Sequence, residues 1–206
     1  EKALRINLDE TKYGTIVEIG AGQEVARQFF KAGAAAGTIA KTMSAYDMTF
    51  SNAIYGVQED RRYVSKSRVK SMIEQEFDLV INRVGTSRPD ASRFFAYGAT
   101  VEAKSYNSDN ECHAWCGIRI QMYPGAEPSE IVVHIRMRDE NAESQQTALG
   151  LFGVNLIYAC YYYIENTKRI MESLTDGMSL GQVVIDSIEF NGPYFEEVDN
   201  RSINLH

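Results

Sequence analysis

Two short stretches concentrate the side chains and glycines that could do chemistry. The first, Val17-Glu18-Ile19-Gly20-Ala21-Gly22, ends a β-like run on two glycines and leads into a helical pattern. Glycines there let the backbone approach a ligand, and the N-terminus of the following helix offers free N–H groups to an anion. Read as a nucleotide-type cofactor site, the stretch takes Glu18 or Asp47 to a ribose hydroxyl. The amides of Gly22 and Gln23 would face an anion, and Gly20, Glu24, Lys41 and Ser44 complete the lining. The third glycine of the dinucleotide pattern is missing, because Val25 and Ala26 stand where it would be, and no parallel βαβ succession is evident after it. The alternative is a tight strand-to-helix turn that holds no ligand.

The second stretch, Asn110-Glu111-Cys112-His113-Ala114-Trp115-Cys116, places two thiols and an imidazole within five positions. It lacks the paired ligand spacing of a structural zinc site, and Cys160, His134 and His206 supply no second pair. On a strand, Cys112, Ala114 and Cys116 share one face while His113 and Trp115 take the other, which separates thiol from imidazole. The expectation is therefore buried cysteines and a hydrogen-bonded His113, with no metal. His134 and Arg136 share a strand face and are open to a salt-bridged role. Tyr158, Tyr161 and Tyr162 form a stripe at helical spacing that suits core or interface packing, and Glu74, Glu76 and Asp78 read as the wet face of their helix.

The elements that must position these residues follow from periodicity. Ala3 to Asn7 alternates like a strand, as does Tyr13 to Ile19; Val25, Ala26, Phe29 and Phe30 fall on one helical face; and Thr38 to Tyr46 reads as a strand with Asp47 near its end. Ser65 is an N-cap for a helix from Lys66 to about Val84, closed by Gly85. Strands are predicted over Phe94 to Lys104 and Ala114 to Met122. The turn Pro124 to Pro128 then returns the chain into Ile131 to Met137 as an antiparallel hairpin. A long helix runs from Glu143 through Tyr163, a shorter one from Asn166 to Leu174, and a strand from Val183 to Phe190. Strands and helices come in blocks, which predicts one α+β domain over residues 1–206 with a mainly antiparallel sheet packed by two or three helices. The alternating Arg201 to His206 reads as an unfinished strand, as expected of the N-terminal part of a longer protein.

Composition narrows the function classes. A 206-residue chain with 44% hydrophobic residues can bury a full core without disulfide or metal. Its net charge of -7 repels phosphate backbones, and Arg61, Arg62, Lys66, Arg68 and Lys70 make only a local basic patch, so nucleic-acid binding is not expected. Three cysteines suit a reducing compartment, the cytoplasm or a plastid stroma. No apolar run approaches the roughly 20 residues of a membrane span.

Several segments together carry a family resemblance: Leu4 to Asp9, Glu18 to Val25, Gly37 to Lys41, Ser44 to Asp47, Arg62 to Ser65, Asn110 to His113, Gly150 to Leu156 and Val198 to Arg201. In these the chain resembles a family of bacterial and plastid-type proteins labelled nicotinate-nucleotide adenylyltransferase or TonB-dependent receptor, whose members continue into a second domain. The residues oppose both chemistries. No histidine precedes His113, so the histidine-containing phosphate loop of an adenylyltransferase has no counterpart, and 206 residues with several helices cannot build a receptor barrel. What the sequence predicts instead is a noncatalytic interaction or regulatory domain, a homo-oligomer or part of a larger assembly, acting through its tyrosine-rich helix and strand edges. A domain binding a nucleotide-like small molecule is the alternative.

Overall fold

The computed structural model describes residues 1–20, 23–58, 62–102 and 112–199. In chain order the elements are α1 (Lys2–Asn7), β1 (Lys12–Gly20), α2 (Glu24–Ala32), β2 (Ile39–Ala45), α3 (Met48–Tyr55) and α4 (Lys66–Val84). They continue with β3 (Arg93–Glu102), β4 (Cys112–Ile120), β5 (Ser129–Met137), α5 (Ala142–Tyr162), α6 (Thr167–Ser173), β6 (Val183–Asn191) and α7 (Pro193–Asp199). The six strands form one sheet in the order β2-β1-β3-β4-β5-β6.

The sheet is mixed. β1 runs parallel to both β2 and β3, while β3–β4, β4–β5 and β5–β6 pair antiparallel. The antiparallel majority and the β4–β5 hairpin agree with the sequence reading. The parallel unit β1–α2–β2 does not, since none was evident in the sequence. β2 is an edge strand whose burial alternates along most of its length, and nothing in such a strand states which neighbour it joins. Three helices among the described residues fall outside the expected set: α1 replaces a predicted strand, and α3 and α7 have no counterpart in the sequence reading, whereas α6 lies between the Asn166 and Leu174 that its pattern marks.

One face of the sheet carries the main core. Ile16, Phe95, Tyr97, Ala99, Cys116 and Ile118 pack there against Val25 and Phe29 of α2 and Leu149, Phe152, Leu156 and Ile157 of α5. The other face is covered by α4, whose Val69, Ile73, Phe77 and Val80 meet Phe94, Ala96 and Val132. Each of the valine, leucine, isoleucine and phenylalanine side chains among them contributes about 1.5–3 kcal/mol of burial free energy. The helix lies low because Gly98 and Gly117 are paired directly beneath it; a Cβ on Gly98 would come within 2.9 Å of the Ile73 side chain. Ser65 caps α4 by accepting a hydrogen bond from the Arg68 amide, as its position predicted.

Arg68 itself is buried, although the sequence groups it with a basic surface patch. Its guanidinium donates to the Ser51 carbonyl and to Asn52 Oδ1, tying α4 to α3. Glu76, read as part of a wet face, is also buried: it accepts from the Tyr55 hydroxyl at 2.7 Å and pairs with Lys41. The segment Arg201 to His206 lies outside the described residues.

Candidate functional site

At the β1–α2 junction the backbone turns at Gly20, with φ +88° and the Val101 carbonyl 2.4 Å from where a Cβ would stand, so only glycine fits. Glu18, two residues earlier, points from β1 into the α2 side of the sheet and is 2% exposed. Its carboxylate accepts from the Val25 and Ala26 amides at 3.2 and 3.4 Å. Gln23 stands at the N-cap without a capping side-chain bond, so a residue of the preceding strand caps the helix instead. Burial pushes the Glu18 carboxyl up to about 7, against the lowering pull of those amides. The first-turn donors that a phosphate would use are engaged by the protein's own carboxylate.

The other predicted ligand contacts are distributed around this junction. Ser44 pairs with Glu18 across β1–β2 and is exposed. Gln23 is exposed, and the half-buried Glu24 pairs with Arg27. Asp47 caps α3, accepting from the Phe50 amide at 2.8 Å. Lys41 projects to the opposite side, where its Nζ lies 2.5 Å from Glu76 of α4. Gly22 is outside the described residues. The structure thus gathers Glu18, Gly20, Gln23, Glu24 and Ser44, and sets Lys41 apart.

In the second stretch the strand alternation holds. Cys112, Ala114 and Cys116 enter the main core, and burial pushes the Cys116 thiol up to about 12. His113 and Trp115 face the α4 side. There the β4–β5 register sets Trp115 opposite His134 and brings the two imidazoles together, His113 Nδ1 lying 3.1 Å from His134 Nε2. The outer nitrogens meet carboxylates: His134 Nδ1 lies 3.0 Å from Asp186 of β6, and His113 Nε2 lies 3.4 Å from Glu102 of β3. Trp115 packs over His134 with ring centroids 4.7 Å apart, and Arg136 grips Asp186 through two nitrogens at 2.7 to 3.0 Å. The Arg136 guanidinium holds the Asp186 carboxyl below its ordinary range, while burial, then the neighbouring His113, lower His134. This carboxylate–imidazole–imidazole–carboxylate chain spans four adjacent strands. No group of three or more metal-binding side chains forms a cage among the described residues.

The chain opens into a cleft of about 390 Å³ lined by Arg62, Tyr63, Val64, Val101, Glu102 and His113. The cleft lies at the carboxyl end of β3, beneath the segment that leads into α4. β1 continues through α2 to β2 on one side, and the chain then returns through α3 and α4 to β3 on the other. Such a reversal of strand order opens a crevice at the carboxyl ends of the parallel strands, where open α/β sheets place their ligands. In the sequence His113 and His134 stand 21 positions apart with no motif that links them. The hairpin about Pro124–Pro128 was the signal that could have joined them.

Known structures share this architecture. The chain is similar to the competence/damage-inducible protein CihA from Agrobacterium tumefaciens, with a TM-score of 0.55 and 16% identity over 77% of this chain and 93% of that one. It is likewise similar to competence damage-inducible protein A (ComA) from Klebsiella pneumoniae, at 0.54 and 12% over 76% and 91%, and to a competence-damaged protein (CinA) superfamily protein from Enterobacter cloacae, at 0.53 and 12% over 77% and 88%. At these identities the likeness is one of fold. No protein-family profile and no curated sequence matches the chain. The resemblance to proteins labelled nicotinate-nucleotide adenylyltransferase or TonB-dependent receptor is corrected by these neighbours, which are competence/damage-inducible proteins of a different description. No described helix is long and apolar enough to cross a membrane.

Proposed function

We propose that this chain is a ligand-binding domain that takes a small polar molecule in the cleft at the carboxyl end of β3. The observation that carries this reading is the polar-lined cleft at the carboxyl end of β3, the strand next to the strand-order reversal at β1. The lining suits an ionic or hydroxylated ligand: a guanidinium, a phenol, a carboxylate and an imidazole surround two valines. The site is displaced from the glycine turn because Glu18 already engages the α2 amides. Ligand-observed NMR screening of a polar metabolite set against wild type and Val64→Trp, which fills the cleft, tests the reading. Binders that the variant loses while keeping its dispersed spectrum support it; binders held equally by both proteins place the site elsewhere.

A second reading, an interaction domain that pairs with another copy of itself, is favoured by one observation. Tyr46, Met48 and Phe50 are 73%, 56% and 57% exposed beside β2, the strand that ends the sheet among the described residues. Large apolar side chains clustered next to an unpaired strand edge are a common signature of association.

A further inference from the structure

The two ends of the sheet are finished differently. β6 carries Asp186 and Glu189, held by Arg136 and Lys66, shifts its ladder to β5 at His134/Ile135, and runs on into α7. Charges and bulges of this kind discourage a strand edge from pairing with another chain. β2 ends the sheet on the other side among the described residues, and its one charged residue, Lys41, is turned to Glu76 of α4. Its ladder to β1 shifts only at the start and is regular from Lys41 to Ala45. On its exposed face stand Ala40, Thr42 and Ser44, all small and uncharged.

Laid antiparallel against a second copy, with Thr42 opposite Thr42, β2 meets itself without conflict. Lys41 then faces Met43, Ala40 faces Ser44, and the central threonines make a favourable cross-strand pair. A two-fold axis perpendicular to the sheet keeps the α4 sides of both copies on one side, and every contact occurs twice. Asp47 and Gly37 lie equally far from Thr42, so Asp47 of one copy stands opposite Gly37 of the other. At Gly37 there is a cation without a counter-charge. Arg88 donates to the Gly37 and Glu10 carbonyls and lies over the Tyr13 ring, and no carboxylate pairs with it among the described residues. Asp47 is exposed, accepts from the Phe50 amide, and has no cation beside it among those residues. Both groups belong to the α4 side of the sheet: Tyr13 packs on Phe94, and α3, which Asp47 caps, is tied to α4 through Tyr55 and Glu76. The symmetry therefore brings Arg88 of each copy to Asp47 of the other, beside the exposed Tyr46, Met48 and Phe50.

We infer that two copies of the chain join β2 to β2 about a two-fold axis at Thr42, making one continuous sheet closed at both ends of the junction by Arg88–Asp47 ion pairs. The pairing presupposes the self-association that the exposed α3 residues favour, and it fixes the strand, register and charges through which the copies meet.

Thr42→Cys is the direct probe, since cross-strand neighbours stand about 4.5–5.5 Å apart at Cα, within the span of a disulfide. Mild oxidation should convert this variant into a covalent dimer while Leu180→Cys, at a fully exposed position between α6 and β6, stays uncrosslinked. In sedimentation equilibrium Thr42→Lys, which sets two ammonium groups face to face, should weaken the dimer at least about tenfold with an unchanged circular dichroism spectrum. Asp47→Asn keeps an α3 cap and removes the charge; it should weaken the dimer about three- to tenfold at low salt, a loss that added salt reproduces in wild type. In a wild type that dimerises, equal oxidation of the two cysteine variants, or a dimer indifferent to Thr42→Lys or to Asp47→Asn, overturns this pairing and leaves the self-association reading standing. A wild type that is monomeric at high protein concentration removes both.

Discussion

Glu18 and Val25 are joined across the β1–α2 turn by a hydrogen bond from the Val25 amide to the Glu18 carboxylate, so that strand and helix are locked by a buried acid. The fold holds this carboxyl near 7 against an ordinary value of 4.5, and the raised value comes from burial. A raised folded-state value means that folding favours the protonated form. The stabilisation is complete below about pH 4.5, declines as pH rises, and is lost above about 7. Glu18→Gln keeps an acceptor for the amides and removes the charge. It should gain on the order of 2–3 kcal/mol over wild type at pH 8 and little at pH 4.5. Urea unfolding of both proteins at the two pH values measures this; a gain of equal size at both would show that burial of the charge is not the cause.

Gly153 of α5 sets how closely the two helices above the sheet approach. A Cβ there would stand 2.3 Å from a Val25 methyl and 2.9 Å from the Tyr97 hydroxyl. Gly153→Ala should therefore cost about 1–3 kcal/mol through overpacking, despite the higher helix propensity of alanine. Val25→Ala opens the space that the new methyl needs, so the double variant should be more stable than the sum of the two single losses predicts. Additive losses in a double-mutant cycle would contradict the contact.

What could be read from the sequence was local. The α4 cap at Ser65, the β4–β5 hairpin and the alternation that buries Cys112 and Cys116 all lie within a few residues of their cause. The misses have physical reasons. Ala3, Ile6 and Asn7, the buried residues of α1, satisfy helical spacing, but a six-residue segment fits a two-residue period nearly as well. Asp47 is an N-cap with Phe50 three residues on, and reading it as the tail of a strand concealed α3. The placement of β2 beside β1, the burial of Glu76 under Lys41, and the His113–His134 contact depend on which strands and helices become neighbours. Only the last was deducible, by carrying the hairpin register outward from its turn.

The thiols should be inert in the native protein. Cys112, Cys116 and Cys160 are all buried, and burial raises the pKa of Cys116 and Cys160 well above that of a free thiol. A chromogenic disulfide reagent at pH 8 is expected to modify none of the three until denaturant is added. Rapid labelling of Cys112 or Cys116 under native conditions would revive a redox role for that stretch.

Lys41 should matter for stability before it matters for any ligand. Its ammonium is partly exposed, whereas the Glu76 carboxylate that it meets is 4% exposed and also accepts from Tyr55. Removing the cation leaves a buried acid with only the phenol, a loss of about 1–2 kcal/mol after allowing for the solvent that already screens Lys41. Lys41→Met should show that loss in thermal unfolding and leave the cleft amides of Tyr63, Val64 and Val101 in place. If Lys41→Met is as stable as wild type, the pair contributes nothing to the fold.

The α3 patch gives the interaction reading its own test. Phe50 is 57% exposed and sits one turn into a helix capped by Asp47, so a substitution there changes the surface and not the core. Exposed positions of this kind normally move stability by less than about 0.5 kcal/mol. In a self-associating protein, however, a charge placed at the centre of the apolar contact is left desolvated and costs far more. Phe50→Glu should therefore weaken self-association at least tenfold in sedimentation equilibrium, with little change in melting temperature once both proteins are monomeric. A wild type that stays monomeric at high protein concentration, or an oligomer indifferent to Phe50→Glu, would remove α3 as the contact and leave the cleft as the functional surface.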